Sequence, residues 1–165
     1  MGLFSFIKDA GAKVFGIGKT TAEEKAEAAA DKAAIEAAEN KRAVAQMENM
    51  INNLGFKVEN LCISIDGDVA TLSGTAANQE TREKVILVVG NSAGIAGVED
   101  NMDVKIEEPV ATFHTVERGD TLSKIAKKVY GNAMKYPVIF EANKPMLTHP
   151  DKIYPGQVLR IPALD

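Results

Sequence analysis

Leu61-Cys62-Ile63-Ser64-Ile65-Asp66-Gly67-Asp68-Val69-Ala70-Thr71-Leu72 is the stretch on which the fold turns. Leu61, Ile63 and Ile65 alternate with Cys62, Ser64 and Asp66, the period of a half-buried strand. Asp66-Gly67-Asp68 supplies a tight turn, and Val69 to Leu72 return as a second strand that Gly74 is expected to end. The spacing predicts an antiparallel hairpin with one apolar face that something must cover.

Cover is available on both sides of the hairpin. Upstream, Val44, Met47, Ile51 and Leu54 share one helical face, and Gly55 is a C-terminal stop. Downstream, Asn78 can cap a helix running to about Val89, with Val85, Val88 and Val89 as its buried stripe. Gly90-Asn91-Ser92-Ala93-Gly94 breaks that helix. Val98, Met102, Val104 and Ile106 then make a third strand, with Asp103, Lys105 and Glu107 between them. The order helix, strand, strand, helix, strand predicts a three-stranded sheet with two helices on one face, an α+β sandwich, over residues 43–107.

Further upstream, residues 20–42 are dominated by Ala, Glu and Lys. Thr21-Ala22-Glu23-Glu24 fits a capping box, and alanine favours helix without burial. A helix from about Thr21 to Leu54 is expected, its first part an exposed extension whose role is open. Within residues 1–19, Leu3, Ile7, Ala10 and Val14 recur at helical spacing. They predict a short amphipathic helix over residues 3–15. It can dock on the rest of the protein or lie on a membrane surface. Its thin polar face, without a lysine band, favours docking.

Downstream, residues 108–111 read as a linker, because Pro109 disfavours continuation of the strand. Residues 112–162 follow the order strand, helix, helix, strand. Phe113 to Val116 open it, and Asp120 is expected to cap a helix with Leu122, Ile125, Ala126 and Val129 as its apolar face. Gly131 stops that helix. Asn132 caps the next, with Tyr136, Ile139 and Phe140 inside, and Val158 to Ile161 close the module.

Composition bounds the function. The 165 residues carry a net charge of −4, which argues against generic nucleic-acid binding. The single cysteine, Cys62, allows no intrachain disulfide and is expected to be reduced, on the outer face of the sheet. Met1 to Ile7 lack a basic n-region and are broken at once by Lys8 and Asp9, so no secretory signal is read. No apolar run approaches the length of a membrane span. A cytoplasmic monomer is expected. Gly18-Lys19-Thr20 resembles the end of a P-loop, but Lys13 stands where that pattern needs glycine. His114 and His149 are not spaced as a metal pair. Asp66 and Asp68 are too few for a calcium loop. Nothing assembles a nucleophile, a base and an oxyanion site, so an enzyme is not expected.

The last module resembles the LysM family. The resemblance rests on Phe113-His114-Thr115-Val116-Glu117-Arg118-Gly119-Asp120-Thr121-Leu122, Tyr130-Gly131-Asn132, Glu141-Ala142-Asn143 and Ile153-Tyr154-Pro155-Gly156-Gln157-Val158-Leu159-Arg160-Ile161-Pro162. It implies a shallow groove for N-acetylglucosamine polymers, with Gly119, Asp120, Thr121, Leu122, Asn143 and Ile153 at the matching positions. The middle segment resembles the BON family through its αββαβ order and its glycines in Val69 to Gly74 and Gly94 to Val98. The combination, with the opening Met1-Gly2-Leu3-Phe4-Ser5-Phe6-Ile7-Lys8-Asp9-Ala10-Gly11, Val88-Val89-Gly90-Asn91 and Glu141 to Leu147, resembles a family of bacterial cytoplasmic potassium-binding proteins in which a BON domain precedes a LysM domain.

That resemblance implies a potassium ion as the ligand. A dehydrated potassium ion suits a ring of neutral carbonyl oxygens, which helix C-termini can offer. Two helix ends broken at glycine are expected, after Ala10 and after Val89. The candidate ligands are the main-chain carbonyls of Ile7, Ala10, Ala12, Gly90, Ser92 and Ile95, with ion binding coupled to compaction of the N-terminal segment and the BON and LysM modules. The alternative is a cell-wall glycan binder that works through the LysM groove.

Overall fold

The computed structural model describes residues 2–7 and 32–164. The element order is β1 (Gly2–Ser5), α1 (Lys32–Asn53), β2 (Val58–Asp66), β3 (Val69–Ala76), α2 (Gln79–Gly90), β4 (Gly97–Val104), β5 (Thr112–Thr115), α3 (Leu122–Tyr130), a 3-10 turn (Ala133–Lys135), α4 (Tyr136–Ala142) and β6 (Val158–Ile161). The fold is α+β, as the alternation of periods requires.

Helix α1 buries Ala43, Met47 and Ile51. It ends because Gly55 turns left-handed at φ 79°. The Phe56 N–H then reaches back to the Ile51 carbonyl and the Gly55 N–H to that of Asn52, which satisfies the last turn. The part of the expected long helix before residue 32 lies outside the described residues.

Strands β2 and β3 form the expected hairpin, with Ile63 opposite Leu72 and Ile65 opposite Ala70. Gly74 does not end β3, which continues to Ala76. It faces an irregularity in β2 between Glu59 and Cys62, and its φ is 133°. A Cβ there would lie 2.8 Å from the Glu59 carbonyl oxygen. Glycine lets the two strands close over the bulge.

The sheet has four strands in the order β1-β4-β3-β2, not three. β3 and β4 are parallel, joined through α2, and the other pairs are antiparallel. The added strand is β1. Residues Gly2 to Ser5 are therefore extended rather than the start of a helix, since they pair in register with Asp100 to Gly97. The rest of the predicted 3–15 helix beyond Ile7 lies outside the described residues. On the covered side Ile63, Ala70, Leu72, Val98 and Met102 join Met47 and Ile51 of α1 and the apolar side chains of α2 in one core. Cys62 is exposed on the opposite side.

The second module pairs β5 and β6 antiparallel. Leu122, Ile125 and Ala126 of α3, Ile139 of α4, Val116, Leu147, Leu159 and Ile161 make its own core. Thr121, not Asp120, caps α3: its hydroxyl accepts the Lys124 N–H at 3.2 Å. Asp120 is occupied elsewhere, accepting the Glu117 N–H at 3.0 Å and facing His114 Nε2 at 3.1 Å. Gly131 ends α3 at φ 71°, and Asn132 caps the 3-10 turn that leads into α4. Among the described residues no helix is long and apolar enough to cross a membrane.

Helix α2 joins the two modules. Val85, Ile86, Leu87, Val88 and Val89 are all essentially inaccessible, and α2 packs against β3, β4 and α1 on one side and β6 on the other. An apolar stripe would have needed one partner surface; a helix buried all round needs two.

Candidate functional site

The C-terminal end of α2 is where the chain converges. The helix starts at Asn78, whose side chain accepts the Thr81 N–H at 2.9 Å. At its other end the Leu87 carbonyl keeps its regular donor, the Asn91 N–H at 2.9 Å. The next carbonyls lose theirs, and substitutes answer two of them: Val88 takes the Ser92 hydroxyl at 2.7 Å and Val89 takes the Ser92 N–H at 3.1 Å. Gly94, at φ 80°, turns the chain toward β4. The turn is anchored from below, because the Asp68 carbonyl accepts the N–H groups of Ala96 and Gly97 at 2.7 and 3.2 Å.

The N-terminal segment closes over this turn. Pairing of β1 with β4 delivers Phe6, whose N–H donates to the Ala96 carbonyl at 2.8 Å. The Phe6 ring lies so close over Gly90 that any Cβ at that position would fall within the ring's van der Waals envelope. Phe6 is buried and Ile7, the next residue, is half exposed. The structure thus brings Phe6, the residue before the first expected ligand stretch, onto Gly90, the start of the second. Gly90, Ser92 and Ile95 are all buried. Ala10 and Ala12 lie outside the described residues. Among those residues no group of three or more His, Cys, Asp or Glu side chains could hold a metal ion.

Around the end of α2 sit two features that the sequence reading did not single out. The Asn91 carboxamide bonds twice to Val158 of β6, donating to its carbonyl at 3.1 Å and accepting its N–H at 3.0 Å. About two turns earlier in α2, the Glu83 carboxylate is buried at 2% exposure, so it must be fully paired. It receives Arg160 Nε at 2.6 Å, the Ala111 N–H at 2.9 Å and Gln79 Nε2 at 2.9 Å. The available signal was the unbroken run Val85 to Val89, too wide for one face.

The LysM groove positions are less uniform. Gly119 is exposed at φ 88°, and its carbonyl accepts Lys124 Nζ at 2.8 Å. Asp120 is held below the usual carboxylate range, first by the Glu117 N–H and then by His114. Thr121 is exposed, Leu122 is buried and Ile153 is half-buried. Asn143 is also buried, and its carboxamide is committed to the Ile139 carbonyl and to both main-chain groups of Arg160. Beside Ile153, burial pushes the Tyr154 phenol above its ordinary value.

The comparisons with known proteins follow this architecture. The BON domain family matches residues 40–106 and the LysM domain family residues 114–162. The potassium binding protein Kbp of Escherichia coli O6:H1 is 43% identical over 165 residues, covering 98% of this chain and 99% of its own. The chain belongs to the Kbp family. A further relative, an uncharacterized protein of Deinococcus radiodurans, is 48% identical over 59 residues, which is 36% of this chain and 22% of its own length. Membership of the Kbp family therefore rests on the whole length of the chain, whereas the second likeness covers about one module. The BON-then-LysM order of the two matches is the order of the two cores described above.

Proposed function

We propose that this chain binds potassium, with the ion held by main-chain carbonyls where the N-terminal segment meets the turn after α2. The full-length likeness to a potassium binding protein carries this reading. The geometry supports it: Phe6 packs on Gly90 and bonds to Ala96, which seats the residue before Ile7 on the Gly90–Ile95 turn. Helix α2 adds the partial negative charge of its C-terminus. The proposed ligands are the carbonyls of Ile7, Ala10, Ala12, Gly90, Ser92 and Ile95. Because an ion would bridge two segments, binding and seating of the N-terminal segment are linked. The protein acts as a cytoplasmic ion sensor rather than an enzyme, and as a monomer.

The second reading is a glycan binder. It is favoured by the LysM match and by the exposed backbone at Gly119 and Thr121. Calorimetric titration of the full chain with potassium, sodium and chito-oligosaccharide separates the two. Saturable heat with potassium and little with sodium supports the first reading. Heat with the oligosaccharide alone replaces it with the second.

A further inference from the structure

The two-stranded sheet of the LysM module has an outer edge that it does not complete by itself. Its register sets Thr115 opposite Val158 and Phe113 opposite Arg160. The Val116 N–H bonds to the Gln157 carbonyl, so alternation points the main-chain groups of Val158 and Arg160 away from β5. Buried main-chain groups must find partners. Asparagine side chains supply them, each acting as a one-residue strand. Asn143 donates to the Arg160 carbonyl at 2.8 Å and accepts its N–H at 2.7 Å. Asn91 does the same for Val158. Both asparagines are helix C-caps and both are buried, at 2% and 5% exposure. They line one small cavity with Leu87, Met146, Leu147 and Leu159. The difference is their origin: Asn143 belongs to the LysM module and Asn91 to the turn after α2.

We propose that Asn91 is the positioning residue that makes the Gly90–Ile95 turn and the docking of the LysM module one equilibrium. This rests on the potassium reading above. Asn91 lies inside the segment whose carbonyls would face the ion, and its side chain grips the edge of β6. Any change in the turn that moves Asn91 must break or remake both bonds to Val158. By reciprocity, a docked LysM module favours the ion-competent turn, and the ion favours docking. Asn91 is not itself a side-chain ligand, because both ends of its carboxamide are already committed.

The test uses the full chain and two variants. Asn91→Ala removes both bonds. Asn91→Asp keeps the size and still accepts the Val158 N–H, but it turns an oxygen toward the Val158 carbonyl. Each protein is titrated with potassium chloride by calorimetry, and exchange of the Val158 amide proton is followed with and without the salt, at matched ionic strength. In the wild type potassium should slow exchange at Val158. Both variants should bind potassium about five-fold or more weakly and lose the potassium-dependent slowing. Should the alanine variant fail to fold, the aspartate variant carries the test. A folded variant with a lowered melting temperature but unchanged potassium affinity makes Asn91 merely structural and overturns the proposal. A wild type that takes up no potassium overturns the reading beneath it, a result recognisable before any variant is made.

Discussion

Helices α2 and α3 are both short and both end at a glycine-containing turn, yet they are buried in different ways. In α3, Leu122, Ile125 and Ala126 face one core while Lys124, Lys127, Lys128 and Val129 are exposed. In α2, residues from Glu83 to Gly90 are buried without interruption, and that run includes a glutamate and a lysine. A helix on the outside of a module needs one apolar stripe. A helix shared by two modules is enclosed on both sides, and its polar residues must be paired because water cannot reach them. The contrast locates the junction of the molecule in α2, with the Gly90–Ile95 turn at its C-terminal end.

Mutations should expose this contrast in order of size. Glu83→Ala leaves the Arg160 guanidinium buried and unpaired and takes partners from Gln79 and Ala111. A loss of about 3–5 kcal/mol in urea unfolding is expected. A loss near zero would mean that the modules part readily and that α2 is not shared. Gly90→Ala forces a Cβ against the Phe6 ring. It should cost about 1–3 kcal/mol, or else release the N-terminal strand, visible as faster exchange at the Phe6 amide.

Asp120 gives a smaller, pH-dependent effect. Its folded carboxyl titrates below the ordinary value because the Glu117 N–H and His114 stabilise the anion. A group depressed in the folded state adds stability above its unfolded value and loses it as pH falls through the folded one. Asp120→Ala should therefore cost up to about 1 kcal/mol at neutral pH, with the gap narrowing below the ordinary carboxylate range. A gap that widens in acid would contradict this assignment. At the far end of the scale, Val129→Ala on the exposed side of α3 should change stability by no more than about 0.5 kcal/mol. Thermal or urea unfolding checks this, and a larger loss would show that this side is covered.

Local chemistry made much of this legible. The β2–β3 hairpin, the Asn78 cap, the Gly55 and Gly131 stops and the two module cores all follow from short-range patterns, and the structure has them. Elements decided by distant partners were not legible. The four residues of β1 place Leu3 and Ser5 on one face and only Phe4 beside Gly2 on the other, too few to set a strand period against the helical spacing of Leu3 and Ile7. Their strand state comes from pairing with β4, about a hundred residues away in sequence. Asn91 read as a helix breaker because its partner, Val158, is 67 positions along the chain. Asp120 and Thr121 were both competent caps. His114 and the Glu117 N–H engaged the first, which left the cap to the second. The seat of Phe6 on Gly90 is visible only once β1 is in place.

The most direct test is a residue-resolved amide spectrum of the full chain recorded as potassium replaces sodium at constant ionic strength. The account predicts saturable changes centred on Phe6, Ile7 and Gly90 to Ile95, extending across the junction to Val158, and little change at Gly119 to Leu122. Absence of any saturable change, or changes confined to the LysM groove, would contradict it.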